Sequence, residues 1–317
     1  MTFQYKKIFD IDKERTESSE LSTDRLTRDA SAYRMSEDLE LAVNVALATG
    51  RLLLICGDPG SGKSTAAAYV AYRNGWRYYQ HVVTSRSEAR DLQYRFDNLR
   101  RLQDAQAGEL KEKSHYVSPG ELWWALAAAE DRVKFGESGS ADPNLFPESV
   151  DAAAVLLIDE IDKADPDYPN NLLVPLGAYR FTIPEQNDRD VKLPENQELL
   201  VVITTNGERE LPPAFLRRCV IHRVSSPKTV DELKEIAEAH VESKNLLPNA
   251  KNLFEELAGK LLEARTAAKS ESARAPSIAE YLDLVKSCQE LGIKPGDDSW
   301  ETVERLVVRK WDSQRQV

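Results

Sequence analysis

One stretch of nine residues, Gly57-Asp58-Pro59-Gly60-Ser61-Gly62-Lys63-Ser64-Thr65, restricts the folds open to this chain more than any other. It follows Leu52-Leu53-Leu54-Ile55-Cys56, an unbroken apolar run of the kind expected of a strand buried on both faces. It leads into Ala66-Ala67-Ala68-Tyr69-Val70-Ala71, good helix formers without Gly or Pro. Strand, glycine loop and helix in that order are the setting in which G-x-x-x-x-G-K-[ST] holds a phosphate. Gly57 and Gly62 let the backbone curl with its N–H groups turned inward, and the helix beginning near Lys63 adds the positive end of its dipole. Lys63, expected as a solvent-facing loop cation, would reach the outer phosphates. The Ser64 hydroxyl would ligate Mg²⁺.

Composition narrows the class. The 317 residues allow one large or two moderate domains, and 41% hydrophobic with 30% charged residues describes a globular chain. No apolar run approaches a membrane span, and Met1-Thr2-Phe3-Gln4-Tyr5-Lys6-Lys7 lacks the apolar core of a secretion signal, so a cytoplasmic location is expected. Cys56, Cys219 and Cys288 are too scattered for a disulfide framework or a zinc site and read as small hydrophobes. His81, His115, His222 and His240 show no metal-ligand spacing. A formal net charge of −11 argues against nucleic acid as a partner.

Along the chain, residues 1 to 32 read as a polar N-terminal arm, loosely docked at most, and the amphipathic stretch around 33–47 as a helix stopped by Gly50. Beyond the glycine loop, 76–85 reads as a second strand, 87–103 as one charged helix, and a further helix begins near Pro119. The Gly-, Ser- and Pro-rich stretch 135–150 reads as a surface loop. Strands are expected at 153–159, 199–206 and 219–224, a helix at 170–179, and a β-hairpin about Gln186-Asn187-Asp188. Strands separated by helices imply a parallel sheet sandwiched by helices, an α/β fold. After about residue 227 the periodicity is helical throughout, which gives three or four helices in a small second domain at 227–317.

Asp159 and Glu160 end the run Val155-Leu156-Leu157-Ile158, so two carboxylates emerge at the C-terminal end of a parallel strand, where ligands of such sheets bind. There Asp159 would hold Mg²⁺ together with Ser64, and Glu160 would polarise the water that attacks the terminal phosphate. Asn206, at the end of the next buried strand, could reach between phosphate and water, or simply make a turn. Arg217 and Arg218 close a short helix begun by Pro212-Pro213. They suit phosphate oxygens across a subunit contact, or the C-terminal end of a helix dipole.

Taken together and in this order, "GDPGSGKST", "VLLIDEIDKAD", "VVITTNGERELPPAFLRRC" and "RAPSIAEYLDLV" resemble an AAA+ ATPase of the MoxR-related branch, over residues 33 to 291. The branch is suggested by "AVNVAL" before the first strand, by "SRSEARDLQYRFDNLRRLQDAQ" after the second, and by the hairpin before the fourth. The resemblance implies a P-loop nucleotide-binding domain at 33–226 and a helical lid domain at 227–317. Gly57, Asp58, Pro59, Gly60, Ser61, Gly62, Lys63, Ser64 and Thr65 become its Walker A loop, Asp159 and Glu160 its Walker B, and Asn206 its sensor. Arg217 or Arg218 becomes the finger acting in trans. Arg274 is the nearest match to the lid arginine, with Arg265 the other candidate. This chain reads Glu160-Ile161-Asp162-Lys163-Ala164 where many relatives carry asparagine and arginine after the isoleucine.

The function so implied is an ATP- and Mg²⁺-dependent ATPase working as a homo-oligomer, a hexameric ring by family, that remodels or activates a partner such as a von Willebrand A domain protein. A nucleotide-dependent assembly switch with little turnover is a second class. Switch proteins commonly lose the catalytic glutamate or the finger, and both are present here. A nucleic-acid motor or restriction-type GTPase is a third class, which would use Arg95, Arg100 and Arg101 to line a pore. Net acidity and the absence of an Asn-Lys-x-Asp base-reading motif argue against it.

Overall fold

Apolar strand runs assemble into a sheet whose connections fix where the chain's polar ends emerge. A computed structural model describes residues 6–12, 25–137, 140–146, 150–241, 250–270 and 274–307. The strands are β1 (Leu52–Cys56), β2 (Trp76–Val82), β3 (Tyr94–Phe96), β4 (Val117–Pro119), β5 (Val150–Asp159), β6 (Arg180–Ile183), β7 (Arg189–Lys192), β8 (Glu198–Thr205) and β9 (Cys219–Arg223). Five of them form one sheet in the order β2-β5-β8-β1-β9, with every pairing parallel. The register sets Cys56 beside Thr205 and Val82 beside Asp159, so these strand ends share one margin of the sheet.

Every residue of β8 from Leu199 to Thr205 is buried, which requires cover on both faces. One face packs Leu54, Leu156, Ile158 and Ile203 against Trp123, Trp124 and Phe215, so the tandem tryptophans are core residues. Charge enters this core at Arg77, whose guanidinium donates to Trp124 O at 3.0 Å and to the Tyr79 hydroxyl at 3.2 Å.

The described residues divide into two compact units. One draws on Met1–Ser22, Met35–Cys56 and Ala67–Arg223 and holds the sheet; the other draws on Thr23–Arg34, Gly57–Ala66 and Val224–Val317. In the second, helices Val230–His240, Ala250–Ser270, Ile278–Leu291 and Trp300–Val307 close over Leu233, Phe254, Leu257, Tyr281 and Leu284. Thr229 with Glu232, and Ser277 with Glu280, form capping boxes that start two of these helices. The helix Arg25–Ala32 packs on Val230–His240 within this unit. Among the described residues no helix is long and apolar enough to cross a membrane.

Several sequence expectations are corrected. The stretch 87–103 is not one helix but two, Ala89–Gln93 and Asn98–Ala107, parted by β3, which pairs antiparallel with β4. Asp97 restarts the helix by accepting from Arg100 N at 2.8 Å. The return of the chain past Gly120 is so close that a Cβ there would lie 2.3 Å from Asp91 O. The helix expected at 170–179 is likewise two short pieces, Tyr168–Asn171 and Leu173–Gly177, with Pro175 inside the second. The third strand starts three residues earlier than expected, at Val150.

In the stretch 135–150, Asn144 Oδ1 accepts from Tyr78 N at 2.9 Å and Leu145 N donates to Tyr78 O at 2.9 Å, so this segment is tied to β2. The N-terminal arm is anchored where it is described. Phe9 is fully buried, and the Asn44 side chain accepts from Phe9 N at 2.8 Å and donates to Phe9 O at 2.8 Å. The remainder of that expectation, at 1–5 and 13–24, lies outside the described residues. The hairpin forms as expected, β6 against β7, with Asn187 and Asp188 in left-handed conformations at its turn.

Candidate functional site

The glycine loop begins at the residue after β1. Gly60 at φ +70° and Gly62 at φ +86° take left-handed conformations that a side chain would strain, and a Cβ on Gly60 would sit 2.7 Å from Ser277 Cβ. Gly60 O accepts from Ala279 N at 3.3 Å, so the loop is seated on the start of the helix Ile278–Leu291. Lys63 departs from the expected solvent-facing cation. It is 6% exposed, with Nζ donating to Gly57 O at 2.9 Å and Asp58 O at 2.8 Å.

The ammonium is therefore held against the curl of the loop, beside the first-turn N–H groups of the helix Lys63–Asn74. With the hydroxyls of Ser64 and Thr65 this is a set of donors suited to a polyphosphate. Ser61 Oγ is buried without a hydrogen-bond partner, a further polar atom free to serve a ligand.

The two lid arginine candidates part company here. Arg265 is half-buried, donating to Pro276 O at 2.8 Å and Pro227 O at 2.9 Å. Burial lowers its guanidinium pKa, while the Asp58 and Glu280 carboxylates act in the opposite sense, which sets it near the loop's own aspartate. Arg274 is exposed and 3.9 Å from Glu280 Oε1.

At the sheet margin the other candidates are laced together. Asp159 Oδ1 accepts from the Thr204 hydroxyl at 2.5 Å and Oδ2 from Gln80 Nε2 at 3.4 Å. The same Thr204 Oγ1 accepts from Glu160 N at 2.8 Å, so one buried hydroxyl fixes both the side chain of Asp159 and the backbone of Glu160. Glu160 itself sits at φ 60°, ψ 49°, a left-handed conformation uncommon for a residue with a Cβ. Its carboxylate accepts from Asn206 Nδ2 at 3.3 Å through Oε1 and pairs with Lys163 Nζ at 2.5 Å through Oε2. That contact raises the Lys163 pKa, Glu160 being the hydrogen-bond partner responsible. Glu160 and Asn206 are thus brought into contact.

Arg217 and Arg218 lie apart from this cluster's hydrogen bonds in role: both are exposed, Arg218 NH1 donates to Ala214 O at 3.1 Å, and Arg217 O accepts from Arg51. Fully buried Phe215 anchors the short helix that presents them.

Three residues at the margin escape the sequence reading. Thr204 could have been found as a hydroxyl inside an otherwise apolar strand run. Asp162 and Lys163 were visible only as departures from the relatives' pattern. Asp162 is 3% exposed, and its Oδ2 accepts from Asn206 N at 3.1 Å and Glu208 N at 2.9 Å. Arg209 adds a bond to Ala164 O at 2.8 Å, so the turn after β5 and the segment after β8 are one bonded block. Asp162→Ala strands two N–H groups that had a charged acceptor, and is expected to lower unfolding free energy by roughly 2–4 kcal/mol in urea titrations. Asp162→Asn, which keeps an acceptor oxygen, should lose less.

A family model described as an AAA domain of the dynein-related subfamily matches residues 52–219, which contain the glycine loop, Asp159, Glu160, Asn206 and both adjacent arginines. Among curated proteins, no sequence matches the chain. Among solved structures, a point variant of Thermotoga maritima RuvB aligns at 17% identity and a TM-score of 0.42, over 85% of this chain and 66% of that one.

Proposed function

We propose that this chain, which belongs to the AAA domains of the dynein-related subfamily, binds ATP and hydrolyses it as an assembled ring that remodels or activates a partner protein. The observation that carries the reading is the bonded set at the sheet margin, in which the Asn206 amide and the Thr204 hydroxyl of β8 hold Glu160 directly after Asp159.

In this reading residues 57–65 cradle the triphosphate, with Lys63 as its cation and Arg265 or Arg274 contributing from the lid region. Ser64 and Asp159 hold Mg²⁺, which supplies charge neutralisation of the phosphate oxygens when bound. The Thr204 hydroxyl keeps the Asp159 carboxylate oriented. Glu160 polarises the attacking water, Asn206 orients it, and Arg217 or Arg218 stabilises the transition state of a neighbouring copy. The domain reading belongs to the same proposal: an arm at 1–32, a nucleotide-binding domain at 33–226 and a lid at 227–317. The MoxR-related branch, the hexameric ring and a von Willebrand A partner follow from motif resemblance and are proposed on that basis alone.

Glu160→Gln tests the chemistry. It keeps the shape and one acceptor oxygen but removes the charge that polarises water. Turnover is expected to fall about 10²-fold while ATP affinity stays within about twofold. Turnover at the wild-type rate would make Glu160 a structural residue and remove the catalytic reading.

A further inference from the structure

Glu160 is asked to polarise water, yet both of its carboxylate oxygens already accept from protein donors. Asn206 Nδ2 lies 3.3 Å from Oε1, and Lys163 Nζ lies 2.5 Å from Oε2. The two contacts differ in kind. An amide is a neutral dipole and leaves the carboxylate its charge, whereas an ammonium at ion-pair distance neutralises it and draws its electron density away from any water. Lys163 reaches back from the third residue of a turn that Asp162 pins to Asn206 N and Glu208 N, so the backbone beneath the lysine is fixed while its side chain is not. The side chains of Lys163 and Glu160 are 42% and 30% exposed, so the pair can open into solvent at small cost.

We propose that Lys163 restrains Glu160. The ion pair is a resting state of the site, turnover requires it to open, and the lysine thereby sets the basal rate of ATP hydrolysis. This rests on the nucleotide reading of the site given above. It makes Lys163 a positioning residue that acts through Glu160, without contact to the reacting atoms. Asn206 keeps Glu160 aimed when the lysine leaves, so opening the pair frees the charge without losing the direction.

The test compares Lys163→Met, which keeps the aliphatic length, with Lys163→Arg, which restores a cation. Lys163→Met is expected to raise kcat about three- to fivefold, the factor that a half-exposed ion pair can hold back, with KM and Mg-ATP affinity unchanged. Lys163→Arg should return kcat towards wild type. A role confined to folding would lower kcat or leave it alone, and would not be reversed by arginine.

A second readout needs no nucleotide. In the ligand-free chain the Lys163 ammonium protons, followed by ¹⁵N NMR, should exchange slowly in wild type and freely in Glu160→Gln. Equal exchange in the two overturns the pair, and so the proposal. A wild type that binds Mg-ATP while Lys163→Met turns it over no faster overturns the restraint alone. A wild type that binds no Mg-ATP overturns the reading of the whole site, and the restraint with it.

Discussion

Lys63→Ala is expected to lose ATP binding, with affinity falling about 10³-fold and the far-ultraviolet circular dichroism unchanged. A charge-assisted hydrogen bond contributes about 1.5–3 kcal/mol, and loss of two to phosphate oxygens corresponds to two to four powers of ten in Kd. The spectrum should hold because the helix Lys63–Asn74 packs through Ala66, Ala67, Val70 and Ala71, all buried, and not through the lysine.

Lys63 does not wait in solvent, however. Its ammonium satisfies Gly57 O and Asp58 O, so binding phosphate means exchanging two carbonyl partners for anionic ones. The alanine variant should therefore also show faster amide hydrogen exchange across residues 57–62, where those carbonyls lose their donor. Titration calorimetry with a non-hydrolysable ATP analogue gives the answer: wild-type affinity in Lys63→Ala would remove the phosphate-loop assignment.

Replacing the finger should stop turnover almost as completely, by another route. Arg217 and Arg218 are both exposed, and the side chain of Arg218 donates to a carbonyl of its own short helix, so neither needs a large rearrangement to be offered to another copy. If one of them completes a neighbour's site, Arg217→Ala or Arg218→Ala should lower kcat by about 10³ with much less effect on ATP affinity, because such arginines act in the transition state. Activity per protomer should rise with concentration as copies associate. Mixing the finger variant with Lys63→Ala then offers an intact loop from one protein and an intact finger from the other. Activity should reappear from two inactive chains. A mixture that stays inactive while subunits exchange, with activity per protomer independent of concentration, would place the arginine in cis or outside the chemistry and would remove the main support for a ring.

What the sequence made legible was chemistry that local backbone dictates. Gly62 takes the left-handed conformation its loop demands, although Gly60 and not Gly57 shares it, and the runs ending at Cys56, Asp159 and Thr205 are neighbouring parallel strands because charge-free runs can be buried on both faces. What escaped depends on partners distant in sequence. Nothing near Asp162 announces that it will accept from Asn206 N and Glu208 N, 44 and 46 residues away. The stretch 87–103 has helical composition throughout, and only pairing with Val117–Pro119 and the close approach of Gly120 turn Tyr94-Arg95-Phe96 into a strand. Arg265 and Arg274, alike as motif candidates, differ in burial, the first half-buried and the second exposed, and burial of this kind is set by packing that adjacency to a motif does not reveal.

The tie between Asn144, Leu145 and Tyr78 bears on how copies of this chain can meet. β2 is the terminal strand of the sheet on that side, and a terminal strand ordinarily offers a row of vacant donors and acceptors to any passing β-segment. Here a side-chain amide oxygen takes the Tyr78 N–H, the next residue's N–H takes the Tyr78 carbonyl, and Phe146 stacks on the Tyr78 ring with centroids 5.4 Å apart. At this point the sheet is closed by its own insertion, as a hem closes cloth. Strand addition is thereby opposed at Tyr78, where both backbone groups are already taken.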